Sequence, residues 1–116
     1  MNPREPLPMS TSAPIGVRDP LPGVVYAPEA DLRRYVDAGM LRHETLAEAL
    51  RAACRAHPDN VAVCSVEASH TYAELDALTD RLGGAFLQLG LRPLARVEFP
   101  LGPCVELVLG FWGCLK

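Results

Sequence analysis

The side chains that could do chemistry here are three histidines, four cysteines, a few carboxylates and one glycine at a strand-to-helix junction. Their spacing argues against most of that chemistry. His43, His57 and His70 are scattered, and none stands at a metal-ligand distance in sequence from a cysteine. His57 falls at the end of a predicted helix, where an imidazolium suits the dipole, and His43 lies in a loop before a predicted cap. Cys54, Cys64, Cys104 and Cys114 are separated by 10, 40 and 10 positions with no CxxC pair. Each sits among apolar residues, so they are expected to be reduced core cysteines. Ser10, Thr11 and Ser12 read as part of a polar tail. Gly102 follows a predicted strand and opens a predicted helix, as a phosphate loop does. However, neither GxGxxG nor GxxxxGK[ST] is present, so no phosphate is assigned to it. Glu74, Asp76 and Asp80 fall on the polar side of a predicted helix and are expected to form a solvated face. No residue is assigned a catalytic, cofactor-binding or metal-binding role.

The elements that would position such groups are well marked. Thr71 with Glu74 makes a capping box, and Leu75, Leu78, Leu82, Ala85, Phe86 and Leu89 then recur on one helical face. Gly90 supplies the left-handed stop. This helix, Thr71 to Leu91, is the organising element. Within it Gly83 and Gly84 each cost about 1 kcal/mol relative to alanine, and close approach of another backbone is the expected reason. Upstream, Thr45 with Glu48 opens a second helix ended by His57-Pro58-Asp59. Pro28 suits the first position of a short helix, Glu29 to Ala38, which Gly39 ends. Val61 to Ser65 reads as a strand and His70-Thr71 as its return, with the turn at Glu67 to Ser69. Arg96 to Leu101 reads as a second strand, although Pro100 cannot donate to a ladder. Pro103 to Lys116 reads as a helix with proline at its first position, apolar nearly all round. A helix of that kind is buried inside a larger body, so the sequence is expected to stop inside a domain. Residues 1 to 27 hold six of the eleven prolines and read as a leader or arm.

The totals exclude several classes. The chain has 116 residues, a net charge of −3 and 49% hydrophobic residues. That balance suits a small soluble domain and opposes nucleic-acid binding, which wants a clustered basic surface. The most apolar run, Cys104 to Leu115, contains Glu106 and falls short of the roughly 20 residues of a membrane span. No secretory signal is visible in the first 30 residues, so a cytoplasmic location is expected.

Three segments together resemble the start of the adenylate-forming ligases, the superfamily of acyl-CoA synthetases, peptide-synthetase adenylation domains and luciferases. They are TLAEALRAACRAHPDNVAV from Thr45, HTYAELDALTDRLGGAFLQLGL from His70, and ARVEFPLGPCVELVLGFWGCL from Ala95. The second matches the family's TYxEL helix. Upstream, YAPEADLRRYVDAGMLRHETL from Tyr26 looks like the arm and short helix of the aryl-acid branch, which activates 2,3-dihydroxybenzoate or salicylate for siderophore assembly. The sequence departs from the family at Leu94-Ala95, where Gly-Asp is usual, at Leu101-Gly102-Pro103, where Leu-Pro-Asn is usual, and at Pro100.

The resemblance implies an α/β fold, the truncated N-terminal portion of the large adenylate-forming-enzyme domain: arm, helices, short hairpin, strand and buried helix. Residues 1–27 would be the Pro-rich leader and residues 28–116 the incomplete start of the AMP-binding domain. The parent would join a carboxylate to ATP, giving acyl-AMP and pyrophosphate, and then load a carrier-protein thiol. ATP and Mg2+ would be the parent's cofactors, and an aryl acid and an aryl carrier protein its partners. The family's phosphate loop, pocket residues and C-terminal lysine match no position here, so the chain alone is expected to be inactive. The rivals are a non-catalytic remnant or interaction module, and a fragment of an acyl-CoA synthetase.

Overall fold

In a computed structural model, residues 20–116 are described, and they fall into two compact units. The first ends at His43 and the second is Glu44–Lys116. The expected leader lies mostly outside the described residues, as do Ser10, Thr11 and Ser12. In the first unit, the Tyr26 hydroxyl accepts a hydrogen bond from the Leu21 amide at 2.8 Å. Helix α1, Glu29–Asp37, follows Pro28, which is the N-cap and not the first helical residue. Its extended ψ of 144° keeps it outside the helix. Gly39, at φ 70°, ends α1 by donating to the Val36 carbonyl while Met40 donates to that of Tyr35. That pair of bonds is a Schellman motif.

The second unit is an α/β arrangement of three helices and a hairpin. Helix α2 spans Leu46–Ala56, strands β1 and β2 span Val61–Cys64 and Ser69–Thr71, α3 spans Tyr72–Gln88 and α4 spans Val105–Leu115. The strands pair antiparallel, Val63 opposite His70 and Cys64 opposite Ser69, with an irregularity between Val61 and Val63. Both capping boxes form. Thr45 and Thr71 accept from the amides of Glu48 and Glu74, whose carboxylates return to the caps' own amides. The next two amides of α3 are also satisfied, Tyr72 donating to the Asn60 carbonyl and Ala73 to that of Pro58. The α3 start is thereby tied to the turn that ends α2, and the hairpin register is fixed with it. Gly90, at φ 93°, closes α3 in a second Schellman motif through the Leu87 and Phe86 carbonyls.

The core of this unit is Leu50, Cys54 and Leu75, with Ala62, Val63, Tyr72, Leu109 and Trp112 packed against it. The apolar face expected along α3 is the packed one at Leu75, Leu78, Leu82 and Phe86, but it takes in Thr79 and does not reach Ala85 or Leu89. Thr79 is fully buried, whereas Leu89 is 78% exposed. The Thr79 hydroxyl donates back to the Leu75 carbonyl at 2.7 Å, which satisfies it within the helix and lets a polar residue sit in the contact. Of the cysteines only Cys54 is core; Cys104 is half-buried, and Cys64 and Cys114 are exposed. The expectation of four core cysteines is corrected accordingly. None of the helices among the described residues is long and apolar enough to cross a membrane.

Helix α4 crosses α3 at small residues. A Cβ added at Gly83 would lie 3.0 Å from the Gly113 carbonyl oxygen, and one at Gly113 would lie 3.0 Å from Leu82 Cγ. Gly83 therefore has the backbone contact expected of it. Gly84 does not, since a Cβ there would meet nothing within 4 Å. The two adjacent glycines should consequently respond with opposite signs. Gly84→Ala should raise stability by about 1 kcal/mol, the helix-propensity difference. Gly83→Ala should lose about as much, because overpacking against backbone exceeds the propensity gain. Denaturant midpoints of the two variants check this.

Two sequence expectations after α3 are corrected. Arg96 to Leu101 forms no strand among the described residues, because no second strand lies beside it and Pro100 lacks an amide. Helix α4 begins at Val105, two residues later than expected, with extended Cys104 as N-cap and Pro103 outside the helix. Between α3 and this stretch, Arg92 to Ala95 makes a turn closed by the Ala95 amide on the Arg92 carbonyl at 3.0 Å. Pro93 is its second residue and Leu94, at φ 68°, its third, which is the type II pattern. Leu94 thus occupies a backbone position that favours glycine, the residue usual there in the family. The left-handed penalty for leucine is about 1–2 kcal/mol, and glycine's extra unfolded-state entropy offsets about 0.5–1. Leu94→Gly should raise stability by up to about 1 kcal/mol, read as a higher unfolding midpoint.

Candidate functional site

The residues singled out in the sequence are not brought together. His57 is the C-cap of α2 and His70 lies in β2, with its Nδ1 3.7 Å from Glu74 Oε2. Gly102 sits in an exposed stretch before α4, whose N-terminus has no side-chain cap. No group of three or more histidine, cysteine or acidic side chains able to hold a metal ion occurs among the described residues.

What the structure does assemble is an ionic cluster that spacing alone did not reveal. Lys116, just past α4, has a side chain only 2% exposed. Its ammonium contacts Asp76 Oδ1, lies 2.9 Å from Asp80 Oδ1 and donates to the Asp76 carbonyl at 3.1 Å. Arg51 of α2 reaches Asp80 Oδ1 at 3.3 Å. Asp76 and Asp80 are one helical turn apart, so one cation can bridge them, and all three packed helices contribute to the cluster. These carboxylates were expected to be merely solvated. Asp80 is held below the usual aspartate range, first by the hydrogen bond from Lys116, then by the charges of Lys116 and Arg51. Cys54 lies under the same cluster, and burial pushes its thiol up, so it is not a ready nucleophile.

Beside the cluster a groove of about 600 Å3 opens between the second half of α3, the loop from Leu91 to Val97 and the end of α4. Phe86, Leu87, Leu94 and Leu115 make its apolar wall, with Arg51 and Asp80 at one side. Among the described residues, the groove has no nucleophile–base pair and no glycine-rich phosphate loop. The carboxylates of Asp76 and Asp80 are neutralised by Lys116 and Arg51. With these carboxylates already paired, the described residues do not fit Mg2+.

A family model described as AMP-binding enzyme matches residues 50–116. The chain is 36% identical over 96 residues to triostin synthetase I of Streptomyces triostinicus, covering 83% of this chain and 18% of that protein. It is 39% identical over 64 residues to pyochelin synthase PchD of Pseudomonas aeruginosa strain UCBPP-PA14, covering 55% of this chain and 12% of that protein. With malformin synthetase mlfA of Aspergillus sclerotiicarbonarius it shares 39% identity over 74 residues, 64% of this chain and 2% of that protein. The chain thus spans less than a fifth of the length of these relatives. No solved structure matches it.

Proposed function

The chain belongs to the AMP-binding enzyme family, and from that premise we propose that it forms the opening part of an ATP-dependent acid–AMP ligase of the aryl-acid branch. Such a ligase joins a carboxylate to the α-phosphate of ATP, releases pyrophosphate and passes the acyl group to a carrier-protein thiol. The observation that carries the reading is the continuous family match from Leu50 to Lys116, with both capped helices in place. The aryl preference rests on the segment from Tyr26 to Leu46 and is in keeping with the likeness to a pyochelin synthase. A cytoplasmic location, an aryl-acid substrate and an aryl carrier protein complete the reading. Residues 1–27 serve as its arm and residues 28–116 as the start of its AMP-binding domain.

The chain's own contribution is architectural. Helices α2 to α4 and the hairpin make a packed wall, and adenylation itself would be electrostatic, needing amides, a metal and a lysine aimed at the phosphates. A second reading, an adenylation segment of a peptide synthetase, is favoured by the longer match to triostin synthetase I.

Pyrophosphate exchange separates these readings. The 116-residue chain alone should exchange no labelled pyrophosphate into ATP with any acid. A chimera carrying Glu44–Lys116 in place of the matching segment of pyochelin synthase PchD should retain exchange. A chimera that folds but is inactive would overturn the ligase reading. In a ligase that carries this chain as its own opening segment, salicylate, 2,3-dihydroxybenzoate, benzoate, octanoate and several amino acids would be compared. A hydroxybenzoate should give the highest specificity constant, and an amino acid or octanoate leading would remove the aryl assignment while leaving adenylation intact.

A further inference from the structure

We draw no further inference here: the strongest candidate, the side-chain cluster of His70 on β2 with Glu74 3.7 Å away at the start of α3 and Glu106 in the first turn of α4, has no arrangement able to hold a metal ion among the described residues and nothing in the structure that points to another ligand.

Discussion

Leu75→Ala should lower the unfolding free energy of the Glu44–Lys116 unit by about 3 kcal/mol, within the usual range of 2–5 for a buried leucine. Leu75 is 3% exposed and lies with Leu50 and Cys54 at the centre of the core, between the hairpin residues Ala62 and Val63 and the α4 residues Leu109 and Trp112. Truncation removes the transfer free energy of three carbons and leaves a cavity. That cavity is hard to close, because its neighbours come from four elements held by capping bonds and by the glycine crossing. The check is a urea melt of the full chain. The midpoint should fall with the slope unchanged, and a shift below about 1 kcal/mol would mean the helices do not pack on Leu75. Leu89→Ala, at a position 78% exposed, should move the midpoint by less than about 0.5 kcal/mol.

That contrast separates what the sequence discloses from what it does not. Both capping boxes, both glycine stops and the hairpin follow from interactions spanning a few residues, so Thr45, Thr71, Gly39, Gly90 and the Val61 strand can be read directly. The family membership is legible for the same reason, since its markers are those local segments in order. The buried stripe of α3 is less legible. Leu75, Thr79 and Leu89 share one face, so periodicity cannot show that packing covers Thr79 and stops short of Leu89, the C-cap. Only the reach of the neighbouring helices decides, with α4 crossing α3 at Gly83 and Gly113. The segment after Arg92 fails as a strand for a different reason. Strand propensity is a preference for a pleated, paired surface, and residues 20–116 hold no partner for it. The cluster at Lys116 has no local signal, because residues forty positions apart in sequence meet only when α4 folds back on α3.

That cluster should respond unequally to loss of its two signs. Lys116 is 2% exposed, whereas the Asp76 and Asp80 side chains keep 34% and 51% of their surface. Lys116→Met removes the cation and leaves two carboxylates that can rehydrate, at a cost of about 1 kcal/mol or less. The double variant Asp76→Asn with Asp80→Asn strands a buried ammonium beside neutral amides and should cost about 3 kcal/mol, as for a broken buried pair. The sign of the pH dependence follows from Asp80, whose folded value lies below the ordinary 3.8. Its contribution is fully present above the ordinary aspartate range and is lost as pH falls through the lowered folded value. The native chain should therefore lose this contribution on acidification below about pH 4. Lys116→Met, without the donor that lowers Asp80, should show a flatter acid limb. Urea midpoints from neutral pH down to the acid limb, for the native chain and both variants, check the order and the slopes. Equal costs for the two variants would mean that water reaches the Lys116 ammonium and that the cluster is an ordinary surface pair.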